Sequence, residues 1–168
     1  MAVLPEASDT LCPVARSQIV IGDRWAVLVV RELFMGNRRF DGLLTQSQAT
    51  PQMLSARLKR LEADGMIARK PYMDKPVRYE YELTEMGRAF YPVILALREW
   101  GETWCKGPDE EVAVRYTHRT CGQDAGVGTV CQACGAPLIR AELKAELSPG
   151  YAKERAERQE AAKALKSA

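Results

Sequence analysis

The sequence predicts an α+β fold, mainly α, on three observations. Apolar residues recur at helical spacing through most of residues 14–64 and again after residue 84. The period drops to two between residues 66 and 83, and glycine and cysteine gather beyond Pro108, where a small β-rich module is expected. A chain of 168 residues suffices for one packed domain of about 100 residues plus a smaller appendage.

Pro13 behind Cys12 starts a helix over Val14 to Ile21, and Gly22-Asp23 leads into a second over Arg24 to Met35, with Trp25, Leu28, Val29 and Leu33 on one side. After the Gly36-Asn37 break a short helix covers about Phe40 to Thr45, with Phe40, Leu43 and Leu44 inward. The next begins at Thr50-Pro51, a Thr N-cap before Pro at the first helical position, and runs to Asp64, where Gly65 ends it. Two short helices joined by a tight turn form a helix-turn-helix. Met66 to Tyr72 and Val77 to Leu83 read as strands joined by Met73-Asp74-Lys75-Pro76, a hairpin in the position of a wing.

Thr84 then caps one long helix, Glu85 to Trp104. Its Phe90, Val93, Ile94, Leu97, Gly101 and Trp104 share a broad side too apolar for so small a domain to cover, which marks it as a dimerisation helix. Val112 to Tyr116 alternates like a strand. The segment from Ser148, rich in Ala, Lys and Glu without an apolar stripe, is either a solvated helix or a disordered tail. The expected division is therefore a winged helix-turn-helix DNA-binding and dimerisation domain over 12–105, a small β-rich module over 109–147, and a tail over 148–168.

The formal charge of +2 hides an uneven distribution: residues 38–78 hold nine Lys or Arg against four Asp or Glu, whereas residues 84–168 hold twelve of each. A basic segment in an otherwise neutral chain points to a polyanionic partner at that segment. No apolar run approaches the roughly 20 residues that span a bilayer. The opening MAVLPEASDT lacks the basic start and apolar stretch of a secretory leader, so a reducing, cytoplasmic location without membrane attachment is expected.

Leu54, Leu58 and Leu61 must turn the second helix of the motif toward the core, which leaves Gln52, Ser55, Ala56, Lys59 and Arg60 outward, with Arg57 on the flank. Gln pairs with adenine, Arg or Lys with guanine, and Ser with phosphate or a base edge, so such a face suits the major groove. The amides of the helix N-terminus at Thr50 favour a phosphate. Arg38 and Arg39, with Lys75 and Arg78 flanking the hairpin turn, add positive charge around the same helix. Tyr72, Tyr79 and Tyr81 read as sheet packing rather than base stacking.

The run CPVARSQIVIGDRWAVLVVRELFMGNRRFDGLL, the segment TPQMLSARLKRLEADGMIARKPYMDKPVRYEYELTEMGRAF and the ending YPVILALREWGETW together resemble the HxlR family of bacterial winged-helix regulators, over residues 12–104. The resemblance implies a homodimer with terminal helices packed across a two-fold axis, recognition helices in successive major grooves of double-stranded operator DNA, and wings on adjacent DNA. It implies a sequence-specific transcription regulator, a repressor in preference to an activator, answering an unidentified small-molecule or redox effector. Cys12 matches the N-terminal cysteine that some members use as a thiol sensor. The competing reading is a winged-helix protein-interaction or thiol- or zinc-sensing module without direct DNA contact, which would not need the basic segment.

His118-x-x-Cys121-Gly122 and Cys131-x-x-Cys134-Gly135 gather three of the five cysteines and the single histidine into 17 residues. Two such pairs, each followed by a glycine that permits a tight knuckle, can place four ligands around one structural zinc. The alternative is a metal-free β-ribbon with reduced thiols, and the nine-residue spacer is short for a zinc ribbon. No other cofactor is expected, and Cys105 has no motif around it. Enzyme classes fit badly: the residue two after His118 is Thr120 where a zinc deaminase needs Glu, and no phosphate-binding glycine loop is present.

Overall fold

The computed structural model describes residues 10–167. Residues 1–9, on which the reading of the opening segment rests, lie outside the described residues. The chain falls into two compact units, Met1–Ala89 and Phe90–Ala168.

The first unit contains α1 (Pro13–Ile21), α2 (Arg24–Phe34), α3 (Phe40–Ser47), α4 (Pro51–Ala63), β1 (Ile67–Asp74), β2 (Val77–Leu83) and α5 (Glu85–Ala89). Its core is the apolar stripe of α2 packed with those of α3 and α4: Val29, Val30, Leu43 and Leu54 are wholly buried, and Leu58, Leu61 and Ile67 nearly so. Trp25 and Leu28, expected inward, are half-buried at its edge. The carboxylate of Glu32 lies inside this core with no exposure. Arg31 Nη2 at 2.7 Å and Asn37 Nδ2 at 2.5 Å donate to it, and the Asn37 amide closes on the Glu32 carbonyl at 3.0 Å. A buried charge left unpaired would be strongly destabilising, so these partners fix the turn between α2 and α3. Gln48, left-handed at φ 56°, ends α3 and turns the chain toward Thr50, whose Oγ1 accepts from the Met53 amide at 3.3 Å to cap α4.

β1 and β2 pair antiparallel from Ile67 opposite Leu83 to Asp74 opposite Val77, with an irregularity between Pro71 and Met73. The sequence gives no sign of a third partner, yet the backbone at Arg38-Arg39 joins this hairpin. Arg39 bridges Glu80, and the Tyr81 amide donates to the Arg38 carbonyl at 2.8 Å. The two arginines are therefore held beside the wing by main-chain bonds.

The single helix expected over Glu85 to Trp104 is corrected: it is two, α5 and α6 (Tyr91–Trp104), broken at Phe90. Pro92 is the reason, since it has no amide to give Arg88 and its ring would clash with that carbonyl, whereas near the start of a new helix it is well tolerated.

In the second unit β3 (Val114–His118) pairs antiparallel with β4 (Leu143–Leu147), residue 114 opposite 147 and 118 opposite 143. A short 3-10 turn, Arg140–Glu142, leads into β4. Tyr91 and Leu95 of α6 are buried, and between the strands Ala125, Cys131, Leu138 and Leu143 are buried with His118. The segment left open as solvated helix or disordered tail forms α7 (Pro149–Ser167), carrying i,i+4 pairs such as Lys153 with Glu157.

Gly87 of α5 sits against the hairpin base so closely that an added Cβ would lie 2.1 Å from the Met66 carbonyl oxygen. That backbone is held by Thr84, whose Oγ1 donates to the carbonyl of Gly65 at 2.5 Å and accepts from the Gly87 amide at 3.1 Å. Gly87→Ala is expected to destabilise the protein by about 1–3 kcal/mol, read as a lower urea midpoint at unchanged slope.

Candidate functional site

The inward Leu54, Leu58 and Leu61 leave Gln52, Ser55, Ala56, Lys59 and Arg60 exposed on α4, as the spacing requires. Pro51, Gln52, Ser55, Ala56 and Lys59 line a shallow open groove of about 460 Å³ along this face. Gln52 and Ser55 donate and accept, Ala56 offers a methyl, and Lys59 a cation; this is the chemistry that base edges and phosphates require.

The nine cations of residues 38–78 divide into two sets. Arg38 pairs with Glu82 at 3.2 Å, and Arg39 with Glu80 at 3.0 Å while lying 4.4 Å from the centre of the Tyr72 ring. Arg57 pairs with Asp23 at 3.1 Å, Arg60 with Asp64 at 2.8 Å, Arg69 with Glu62 at 3.2 Å and Lys70 with Glu82 at 2.5 Å. Lys59, Lys75 and Arg78 are exposed and make no ion pair with a described residue. The hydrogen bond from Lys70, helped by the charges of Lys70, Arg38 and Arg88, holds the Glu82 carboxyl below its ordinary range, so Glu82 remains an anion that orders two cations at once.

Arg69 and Lys70 were missed in the sequence, as were the acids that position the set. Arg60-Asp64 has i,i+4 spacing, so part of this signal was available in the sequence. Arg57 differs from its neighbours. Its partner Asp23 also caps α2, its Oδ1 accepting from the amides of Trp25 at 2.8 Å and Ala26 at 3.2 Å, so the pair ties α4 to the start of α2.

In the second unit the four residues of the Cys/His pattern converge: one ligand atom from each of His118, Cys121, Cys131 and Cys134 lies within 4.8 Å of every other. His118 Nδ1 is 3.5 Å from Cys121 Sγ and 3.4 Å from Cys134 Sγ, and the Cys121 and Cys131 sulfurs are 3.8 Å apart. Both pairs use the same turn. The Gly122 amide donates to the His118 carbonyl and the Gly135 amide to the Cys131 carbonyl, each at 2.8 Å, with φ of 72° and 73° that glycine adopts readily.

Burial pushes the Cys131 thiol up, but the amides of Cys134 and Ala133 and the neighbouring thiols outweigh it and bring it down to about 7. The Cys134 thiol is raised: the Ala136 amide favours its thiolate, but burial and the neighbouring thiols oppose it more strongly. The Cys121 thiol raises the His118 imidazole, against burial and with help from Glu142.

A helix-turn-helix followed by a hairpin wing, with a polar and basic outer face on its second helix, defines a DNA-binding transcription regulator of the winged-helix class. Residues 20–109 match the HxlR-like helix-turn-helix family, and the chain belongs to it; the family is one of transcription regulators and not of enzymes.

The chain is 37% identical over 139 residues to the HTH-type transcriptional regulator Rv3095 of Mycobacterium tuberculosis, covering 82% of this chain and 87% of that protein. It is 37% identical over 105 residues to YdeP of Bacillus subtilis, covering 62% and 82%. Among solved structures, PA1607, described as a transcription factor, matches with a TM-score of 0.64 at 35% identity over 84% of this chain and 96% of its own. The redox regulator HypR in its oxidised form matches at 0.51 and 38% identity, over 55% and 96%. A match covering 82% of this chain cannot miss residues 118–134, so the Cys/His segment lies inside the region shared with the mycobacterial relative.

Asp23→Ala removes the α2 cap and leaves Arg57 without its partner. It is expected to cost about 1 kcal/mol of stability, measured by chemical denaturation.

Proposed function

We propose that the chain is a homodimeric repressor of transcription that binds a two-fold symmetric operator in double-stranded DNA. The observation that carries this reading is the outer face of α4. Gln52, Ser55, Ala56 and Lys59 meet base edges in the major groove, and Thr50 with the Gln52 amide at the start of α4 meets a phosphate. Lys75 and Arg78 at the wing contact adjacent backbone. Arg38 and Arg39 exchange their surface acids for phosphates at little cost, because exposed ion pairs contribute only about 0–1 kcal/mol, while Arg60 reaches a phosphate without leaving the buried Asp64. Arg57 contributes mainly by holding α4 in place. Bases and phosphates are met by side chains and amides alone, so this reading draws on no cofactor.

Support for the dimer comes from α6. Val93, Leu97, Trp100 and Trp104 are 42%, 46%, 59% and 73% exposed, at spacings of four, three and four residues, the repeat of a helix seam that packs against a second helix. A second copy offers the same seam, and two recognition helices then read two half-sites. Residues 12–105 act as the DNA-binding and dimerisation part, with 109–147 as an appended module and 148–168 as a solvated helical tail. Repression follows from occupancy of the operator, whereas activation needs a further contact with polymerase.

Among the described residues no helix is long and apolar enough to cross a membrane, and the regulator acts in the cytoplasm, where operator DNA is accessible. An effector, small molecule or oxidant, sets its occupancy. Cys12, exposed at the N-cap of α1, is the candidate thiol sensor, the likeness to a redox regulator supporting it. If so, Cys12→Ser retains operator binding and loses its response to peroxide.

Anisotropy titrations on the chain's own upstream region are expected to show steep salt dependence. Lys59→Ala, Lys75→Ala and Arg78→Ala should each weaken binding and lower the salt slope by about one, while Gln52→Ala shifts preference at one base pair by about 1–3 kcal/mol. Salt-independent binding, or none to any DNA, would overturn the reading and favour a protein-interaction module. Leu97→Glu with Trp104→Glu is expected to turn a dimer into a monomer in sedimentation velocity at micromolar concentration; a wild-type monomer would remove the dimer.

A further inference from the structure

We propose that His118, Cys121, Cys131 and Cys134 bind one zinc ion in a closed, structural site that fastens the C-terminal module to α6. The inference is independent of how the operator is read. Zinc at 2.3 Å from sulfur and about 2.05 Å from nitrogen puts tetrahedral ligand atoms about 3.8 Å apart for two sulfurs and about 3.6 Å for sulfur and nitrogen. Three of the six separations here are 3.8 Å between the Cys121 and Cys131 sulfurs and 3.5 and 3.4 Å from His118 Nδ1 to the Cys121 and Cys134 sulfurs, and all six are within 4.8 Å. A formed disulfide would hold two sulfurs near 2.05 Å, so these thiols are reduced; an imidazole nitrogen gathered with the three sulfurs within 4.8 Å is what marks the four atoms as a ligand set.

The donor set selects the ion. Three thiolates and one imidazole suit zinc and exclude magnesium and calcium, which take oxygen. As the metal binds, the three thiols release their protons to solvent. Four protein ligands leave no open position, which makes the site structural and not catalytic. Glu142 Oε2 lies 3.4 Å from His118 Nε2. A proton on Nε2 facing that carboxylate leaves the Nδ1 lone pair toward the sulfurs, the orientation that a metal-bound histidine receives from an outer carboxylate.

The module has reason to need the ion. Between residues 114 and 147, apart from the ligand Cys131, its buried apolar side chains are Ala125, Leu138 and Leu143, too little to hold about 35 residues without a further constraint. The same segment is tied to α6 by Arg98, which donates to the carbonyls of Val114 at 2.6 Å and Gly126 at 3.1 Å and lies 4.8 Å from the centre of the Tyr116 ring. Val114 begins the strand that ends in His118, and Gly126 lies in the loop between Cys121 and Cys131. Fixing the four ligands therefore fixes both acceptors of Arg98.

The test uses the full chain. Purified from zinc-supplemented cells and desalted, it should contain about one zinc per chain by plasma mass spectrometry, released as a mercurial reagent titrates the thiols. Cobalt exchanged into the site should give tetrahedral d–d bands and thiolate charge transfer. Cys134→Ser, at an exposed ligand, should lose the metal while Cys105→Ser keeps it, and Glu142→Gln should weaken affinity by about tenfold. Chelation of wild-type protein should raise hydrogen exchange across residues 114–147 and leave residues 40–83 protected. Metal far below one per chain with unchanged exchange in the module, or iron in place of zinc, would each overturn the proposal.

Discussion

The rotation of α4 about its own axis is fixed by three leucines, and the exposed chemistry of the first unit follows from it. Leu54, Leu58 and Leu61 recur at four and three residues and are at most 2% exposed. Turning the helix by one residue, about 100°, would bring Ser55 inward in place of Leu54 and expose side chains whose burial contributes about 2 kcal/mol each. Gln52, Ser55 and Lys59 are therefore held outward by the core, with no hydrogen bond of their own needed to aim them. The Thr50 cap and the left-handed Gln48 set where the helix begins, and so which amides stand free at its start.

Positive charge around that helix is ordered by acids and not merely accumulated. Of nine cations between residues 38 and 78, six are paired, and Lys59, Lys75 and Arg78 make no ion pair with a described residue. Pairing with Glu80 and Glu82 ties Arg38, Arg39 and Lys70 to one strand of the hairpin, and Arg39 also stacks on Tyr72. Because the pairs are exposed, water and salt weaken them, and a phosphate can replace the carboxylate. Asp64 differs, being nearly buried at 4% exposure, so Arg60 is held more firmly than the arginines beside the wing.

The sequence made the helices of the first unit legible because each has its own stop signal: Gly22-Asp23, Gly36-Asn37, Thr50-Pro51, Gly65. It made the hairpin legible because the apolar period changes there. It did not show that Arg38-Arg39 adds backbone to that hairpin, since an isolated two-residue pairing leaves no periodicity to read. Nor did it show that Glu32 is buried, because a charged residue on an amphipathic helix is ordinarily solvated and the Asn37 and Arg31 contacts that offset its burial leave no local pattern. The break at Phe90 was available in Pro92 but was outweighed by the continuous apolar pattern on either side. For the Cys/His cluster, spacing alone left zinc and a metal-free ribbon open; convergence of the four side chains depends on how β3 and the two knuckles meet, which no local pattern encodes.

The second unit shows how one helix can serve two surfaces. Tyr91, Leu95 and Arg98 of α6 recur at four and three residues and face the module, the first two buried and the third bonded to Val114 and Gly126. Val93, Leu97, Trp100 and Trp104 recur with the same spacing two residues later. Two residues correspond to about 200° around a helix, so the two stripes lie on opposite sides. Burial explains the first stripe, lowering the Arg98 guanidinium and raising the Tyr91 hydroxyl as it does any ionisable group taken from water. It does not explain the second, where two tryptophans stand in solvent within a single chain. A helix apolar on both sides has one face more than its own module requires, and that surplus is the physical argument for a partner along α6.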